Sequence, residues 1–197
     1  MSTVIDLKAY VGSSSERFLV IVDLQEDNWQ RLARDDAGGL DRALDNCRAA
    51  IRHARENRIP IAFTRTRDQL GPVAGRPQSP WLSGFEPKRE DMVFERRQPS
   101  CYGNSLFNDV VSRVEGFAIC GLAAEEVCLA TAIDAAHHGH RVTFLSDASA
   151  SRQRPHADAD AVHSAATSAI ELFGDVTTTR HWLVATSPRP VRGRRYG

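Results

Sequence analysis

Apolar residues alternate along the chain between short continuous runs and longer stripes with helical spacing. Residues 17–24, RFLVIVDL, form a run rich in β-branched side chains, which is typical of a strand buried on both faces of a parallel sheet. Between 40 and 58 the apolar residues recur at steps of three and four, which predicts a helix with one apolar stripe. Pro60 precedes a second run, IAFT, so the chain begins with a β-α-β pattern.

The alternation continues to the C-terminal part of the chain, interrupted by a proline- and glycine-rich stretch at 66–91 that predicts a long loop or lid. Strands are predicted at 92–95, 116–121, 141–147 and 176–179, and helices at 105–114, 123–138 and 157–173. Alternating strands and helices predict an α/β fold: a doubly wound, mostly parallel sheet of Rossmann type with helices on both faces. We expect one domain over 1–197, with its core at 17–185.

One acidic residue stands at the end of an apolar strand, where packing alone does not explain it. Asp23 closes the first run, and a buried carboxylate needs a partner. Ligands of doubly wound sheets bind beyond the carboxyl ends of the strands, which favours a functional role for Asp23. The alternative is a structural Asp that caps the loop 25–28.

Composition and charge exclude some classes of function but do not identify one. Lys+Arg and Asp+Glu are both 25, so the charge balance gives no indication of nucleic-acid binding, and the basic end, RPVRGRRYG, is interpreted as a solvated tail. The run 18–24 is too short to span a bilayer, and no signal peptide is predicted. The four cysteines, Cys47, Cys101, Cys120 and Cys128, lack metal spacing and indicate free thiols in a reducing, cytoplasmic setting.

Four segments in order resemble the isochorismatase-like hydrolase superfamily, also called the cysteine hydrolases. They are LVIVDLQEDNW at 19–29, RRQPSCYGNSLF at 96–107, GLAAEEVCLATAIDA at 121–135 and FLSDASAS at 144–151. The resemblance covers roughly 17–185 and implies the same fold. Amidase-type members of the superfamily use an Asp base, a supporting Lys and a Cys that attacks an amide carbonyl.

The resemblance assigns these positions residue by residue. The Asp position falls on Asp23, and the Lys position falls on Arg96, although a slip of register would bring Glu95 or Arg97 there. The loop that holds the oxyanion contains a cis peptide in the family, and the matching bond is Leu122–Ala123.

The nucleophile position falls on Val127, counted from Gly121 and again from Thr131, so Cys128 lies one residue late. On a helix one residue turns a side chain by about 100 degrees. We therefore expect Cys128 to point away from Asp23 and to pack in the core, as free cysteines commonly do.

Two of the three triad positions are thus changed relative to the amidase-type members. The isochorismatases proper are therefore a useful comparison. They are similar to this chain in lacking the thiol, and they hydrolyse a vinyl ether with an Asp as the acid–base group. Arg96 beside Asp23 is expected to lower the pKa of that carboxyl and so to favour an ionised base. Arg96 could instead bind a carboxylate or phosphate of the substrate.

The remaining candidates are assigned to substrate binding, with no metal and no cofactor predicted. They are Gln25, Trp29, Arg65, Trp81, Tyr102, Ala123 and Glu126. Glu125 and Glu126 are interpreted first as complements to a helix dipole, the alternative being that Glu126 faces the pocket and supplies a proton. His137, His138 and His140 end a helix and lack the partner that a metal site needs.

The sequence therefore predicts an enzyme that acts on a small molecule by acid–base chemistry at Asp23, as a vinyl-ether hydrolase or in a lyase, isomerase or cyclisation step. One alternative is an inactive relative that binds a small ligand or a partner protein. Another is an amidase that uses Cys128 through a local backbone shift. A homo-oligomer, dimer or tetramer, is expected, with neither nucleic acid nor membrane as a partner.

Overall fold

The computed structural model describes residues 17–34, 39–67 and 78–188, and within these ranges six strands form one sheet. The strands are β1 (Leu19–Val22), β2 (Ile61–Thr66), β3 (Met92–Arg96), β4 (Gly116–Leu122), β5 (Arg141–Ala150) and β6 (Asp175–Thr177). The helices are α1 (Glu26–Arg34), α2 (Leu40–Glu56), α3 (Ser105–Val111), α4 (Leu129–His137), α5 (Ala159–Ile170) and α6 (Thr179–Thr186). All neighbouring strands are parallel, in the order β3-β2-β1-β4-β5-β6, which confirms the predicted fold class.

The core lies on both faces of the sheet because successive side chains of a strand point to opposite sides. Leu19 and Ile21 of β1 join a cluster with buried residues of α1, α2 and α6. Val20 and Val22 join a second cluster with residues of α3, α4 and α5. The uninterrupted apolar run of β1 is therefore explained by a strand that is covered on both sides.

The chain reverses its direction of winding between β1 and β4, and their carboxyl ends lie side by side. Val22 is paired with Gly121, which has a φ of +124°. A Cβ at Gly121 would lie 2.2 Å from the carbonyl oxygen of Val22, so only glycine allows the two backbones to approach this closely. Crevices at such a switch point are where ligands bind in doubly wound sheets.

Several predicted element boundaries were wrong. Residues 26–34, taken in part as a loop, form α1, and the predicted last strand at 176–179 ends at Thr177, two residues before α6 begins. The predicted single helix 123–138 consists of a π-helical turn, Ala124–Cys128, followed by α4. The strand predicted to end at 147 extends to Ala150, past an irregularity in its register with β4.

The predicted N-terminal segment and basic C-terminal tail lie outside the described residues. Residues 68–77 of the predicted loop at 66–91 also lie outside them. In the described ranges no helix has the length and apolar character needed to cross a membrane.

Candidate active site

A cavity of about 450 Å³ lies beyond the carboxyl ends of the central strands. Its walls include Asp23 after β1, Thr66 at the end of β2 and Arg96 at the end of β3. Ala123 and Val127 line it from the segment that follows β4. Parallel strands thus bring together residues that are widely separated in the sequence.

Asp23 is the most deeply enclosed acidic group of this cavity, with 3% of its surface exposed. It has a φ of +48°, a left-handed conformation that Asp adopts more readily than most residues. Its Oδ2 accepts hydrogen bonds from Thr66 Oγ1 at 2.7 Å and from Arg96 Nη2 at 2.5 Å. Its Oδ1 is buried and has no hydrogen-bond partner in the described structure.

Arg96 ends β3 with its side chain beside Asp23. It is 3% exposed, and besides binding Asp23 it donates from Nη1 to the carbonyl oxygen of Gln98 at 2.8 Å. Glu95, the neighbouring residue in β3, instead accepts a hydrogen bond from Arg65 at 2.5 Å. The alternation of side chains along β3 therefore places Arg96, and not Glu95, beside Asp23.

The expected effect of Arg96 on Asp23 is outweighed by burial. Loss of hydration raises the pKa of Asp23 above its ordinary value, while the charge of Arg96 and the hydrogen bond from Thr66 act in the opposite direction. The predicted contact between the two side chains is present and Arg96 acts on this pKa in the predicted direction, but burial makes the net shift upward.

The segment before α4 places Val127 at the cavity and buries Cys128. Val127 is 3% exposed and lines the cavity, whereas Cys128 is fully buried in the cluster that packs against α4. Among the described residues that line the cavity, Cys128 does not occur. Burial raises the pKa of the Cys128 thiol well above its ordinary value, which disfavours the thiolate that a nucleophile requires.

The backbone of the π-helical turn converges on one carbonyl oxygen. The N–H groups of Glu126, Val127 and Cys128 donate to the oxygen of Ala123 at 3.3, 3.1 and 3.5 Å. The bond between Leu122 and Ala123 is cis, as the resemblance implied. Because these three donors have an internal acceptor, they are not free in this structure to hold an oxyanion.

Two acidic and two basic side chains form a cluster at the edge of the cavity. Glu125 accepts from Arg154 Nη2 at 2.9 Å and from the backbone N–H of Arg152 at 3.2 Å. Glu126 is bound by the guanidinium groups of both arginines. Both glutamates and Arg152 line the cavity, so Glu126 lies where the alternative interpretation placed it.

Of the seven residues assigned to substrate binding, Gln25, Ala123 and Glu126 line the cavity. The other four do not: Trp29, Arg65, Trp81 and Tyr102 lie elsewhere in the described structure. Trp29 and Trp81 pack against the core, and Arg65 lies over the ring of Trp81 at 5.3 Å. Tyr102 stacks on His138 with 4.6 Å between ring centroids.

Sequence reasoning missed Thr66 and gave Glu125 only a helix-end role. Thr66 is paired in register with Arg96, so its position at the end of β2 was a signal for it. No comparable signal existed for Glu125, because its environment depends on Arg152 and Arg154 from a distant strand end. In the described ranges no group of three His, Cys, Asp or Glu residues is arranged to hold a metal ion.

Comparison with known proteins gives consistent results for sequence and structure. Residues 17–181 match the family model described as isochorismatase domain. A cysteine hydrolase from Pseudomonas syringae pv. phaseolicola 1448A has a TM-score of 0.75 at 20% identity, over 86% of this chain and 91% of that chain. An isochorismatase from Pseudomonas putida KT2440 has a TM-score of 0.72 at 21% identity, over 89% of this chain and 95% of that chain.

More distant structures share the fold as well. A ribonuclease from Caenorhabditis elegans has a TM-score of 0.62 at 18% identity, over 87% of this chain and 81% of that chain. At these identities the likeness between structures establishes the fold alone. No curated protein sequence is significantly similar to this chain.

Proposed function

The chain belongs to the isochorismatase family, and from this premise we propose that it is an enzyme that acts on a small molecule by acid–base chemistry at Asp23, without a cysteine nucleophile. One observation carries the proposal: Val127 lines the cavity together with Asp23, while Cys128 is fully buried outside it. This arrangement supports chemistry by proton transfer or an added water and disfavours attack by a thiolate.

Asp23 is suited to exchange a proton with a substrate. Burial raises the pKa of its carboxyl, which brings the protonated form closer to working pH, and Asp23 lines the cavity. Arg96 supplies a positive charge at 2.5 Å that compensates the carboxylate once the proton has left. In vinyl-ether hydrolysis Asp23 protonates the enol-ether carbon, water adds to the resulting cation and returns a proton to Asp23, and the neutral hemiketal then separates into a ketone and an alcohol.

An amidase that uses Cys128 is the less favoured mechanism. A thiol that is fully buried, with a raised pKa, is a poor nucleophile. The amide groups of Val127 and Cys128 also donate to Ala123 and do not converge on an empty oxyanion position. No contact of the described residues specifically favours an inactive relative, which remains an outcome of the test below.

The test is a panel of small amides and small enol ethers, assayed with wild type, Asp23→Asn and Cys128→Ala. We expect turnover of an enol ether, a loss of at least about a hundredfold with Asp23→Asn, and retention with Cys128→Ala. Amide turnover that disappears with Cys128→Ala would establish the amidase. Absence of turnover on every substrate, with a ligand still bound, would identify an inactive relative.

A further inference from the structure

Thr66 ends β2 at the wall of the cavity, and its hydroxyl contacts the carboxyl of Asp23. Thr66 Oγ1 donates to Asp23 Oδ2 at 2.7 Å, and the same oxygen accepts from Arg96 Nη2. Among the side chains of the described residues, these two are the hydrogen-bond donors to this carboxyl. One donor is charged and the other is neutral, so the contribution of the neutral hydroxyl can be considered separately.

The register of the sheet explains why both donors reach one oxygen. Thr66 of β2 and Arg96 of β3 are paired in the parallel ladder, so their side chains leave the sheet on the same face and at the same level. Asp23 follows β1, which lies beside β2 on the side opposite β3. Threonine is β-branched and has few χ1 rotamers, so the hydroxyl of Thr66 is oriented before any ligand binds.

A second threonine of β2 provides a contrast. Thr64 lies two residues earlier on the same face of the strand and is fully buried, whereas Thr66 is half-buried at the cavity wall. The hydroxyl of Thr64 accepts from Cys101 Sγ at 3.6 Å, and its carbonyl oxygen accepts from the backbone N–H of Asp23 at 3.0 Å. Of these two hydroxyls, only that of Thr66 binds the carboxyl of Asp23.

We propose that Thr66 is a positioning residue of this cavity: its hydroxyl holds the Asp23 carboxyl beside Arg96 and stabilises the charged form that remains when Asp23 has given up its proton. The inference rests on the proposed function, because it concerns the acid–base group of that function. A hydrogen bond from a neutral hydroxyl favours an ionised carboxylate over its protonated form. Thr66 thus opposes the upward effect of burial on the pKa of Asp23 and makes release of the proton easier.

The other titratable and charged groups near Asp23 are unchanged by a substitution at Thr66. Burial raises the pKa of the Cys101 and Cys128 thiols, and the charge of Asp23 adds to the rise. The charged side chains of the cavity wall besides Asp23 are Asp27, Arg31, Arg96, Glu125, Glu126 and Arg152. Because these groups are common to all the variants below, a difference in the pKa of Asp23 reports the hydroxyl of Thr66.

The test is Thr66→Val, which keeps the shape of the side chain and the backbone N–H but lacks the hydroxyl. We expect the pKa of Asp23 to rise by about one further unit, since a hydrogen bond to a charged acceptor is lost. This pKa is measured without a substrate, from the pH dependence of the unfolding free energy relative to the matching protein that also carries Asp23→Asn. In Thr66→Val the fall of this relative stability with rising pH should end about one pH unit higher than in wild type.

Thr64→Val is the matched control: it removes a hydroxyl from the same face of β2 and should leave the pKa of Asp23 unmoved. Thr66→Ser restores a hydroxyl at the original position and should recover most of the wild-type value. If Thr66→Val does not fold, Thr66→Ala removes the same hydroxyl and has the same expected result.

Three outcomes would contradict the inference. The first is an unmoved pKa of Asp23 in the variant without the Thr66 hydroxyl. The second is an equal rise of this pKa in Thr64→Val, which would indicate a general effect of substitutions in β2. The third is a pKa in Thr66→Ser as high as in Thr66→Val, which would attribute the shift to the shape of the side chain.

Failure of the proposed function is a separate result, because these measurements require no turnover. A pKa of Asp23 that depends on the Thr66 hydroxyl, in a protein without activity on any substrate, would support this inference and refute the enzyme. Activity that depends on Asp23, with a pKa indifferent to Thr66, would do the reverse.

Discussion

At the scale of the residue, Asp23 is subject to two opposing effects. Burial to 3% exposure disfavours the charged carboxylate, whereas Arg96 at 2.5 Å favours it. A buried ion pair gains from its own attraction but loses the hydration of both groups. Because burial prevails, Asp23 is better suited to give up and recover a proton than a surface carboxylate would be.

The contribution of Arg96 can be isolated by removing its charge. In Arg96→Gln the largest influence that lowers the pKa of Asp23 is gone, so this pKa should rise further. We expect the limb of the pH–rate profile that reports Asp23 to move upward by about one unit or more. The measurement is kcat/KM against pH with a substrate found in the panel.

Arg67→Gln serves as the control for a general change of charge near β3, because Arg67 is 62% exposed and pairs with Glu95 at 3.7 Å. In the pH–rate profile of Arg67→Gln, the limb that reports Asp23 should not move. If Arg96→Gln also left the limb unmoved, Asp23 would not be the titrating group.

The raised pKa of Asp23 also makes stability depend on pH with a definite sign. The folded chain holds this proton more tightly than the unfolded chain, whose ordinary value is 3.8. The resulting stabilisation is present below that value and is lost as pH rises through the folded-state pKa. Asp23→Asn cannot ionise and escapes the loss.

We therefore expect the unfolding free energy of wild type, relative to Asp23→Asn, to fall as pH rises from about 4 towards neutrality. Urea denaturation of both proteins at several pH values measures it. A relative increase over the same range would mean that the charge of Arg96 outweighs burial and that the net pKa of Asp23 is lowered.

At the scale of the element, the apolar pattern predicted the helices and strands that bury many side chains. It missed elements whose geometry depends on capping and tertiary contacts. The helical stripe at 40–58 gave α2 because seven of its residues are buried. In α1 the apolar side chains are few, with Leu32 buried and Trp29 packed against the same cluster three residues earlier, and this short stripe was not recognised as a helix. The turn Ala124–Cys128 is π-helical, a departure from α-helical geometry that no spacing of side chains encodes.

The junction between β1 and β4 gives a prediction for an element boundary. Gly121→Ala would place a Cβ 2.2 Å from the Val22 oxygen, in a backbone conformation that L side chains rarely adopt. We expect at least about 2 kcal/mol of destabilisation, measured by chemical denaturation, because neither strand can move without disturbing the sheet.

Gly84→Ala separates the two causes of that loss. Gly84 also has a positive φ, +83°, but a Cβ there would meet nothing within 4 Å. It should cost only the conformational part, about 1 kcal/mol. Equal losses in the two variants would mean that the contact with Val22 is unimportant.

At the scale of the whole molecule, the sequence was sufficient to predict the fold. It predicted only some of the residues that line the cavity. The order of strands and helices gave the architecture, and the family motifs gave the contact of Asp23 with Arg96. The cavity wall also depends on residues such as Arg152, whose position is set by the path of a strand end. The balance between burial and charge at Asp23 required three-dimensional contacts that a linear pattern does not contain.

The expected dimer or tetramer stays a prediction. Leu172 and Val184 are large apolar side chains with 79% and 72% exposure, but no contact identifies what covers them.

The four cysteines are buried in two pairs, one on each side of the sheet. Cys47 and Cys120 belong to the cluster with α2 and α6, and Cys101 and Cys128 to the cluster with α3, α4 and α5. Iodoacetamide can alkylate such thiols only while their layer is open. Labelling followed by peptide mass spectrometry therefore measures the alkylation rate of each cysteine pair. The two rates report the opening of the two sides of the core separately during unfolding.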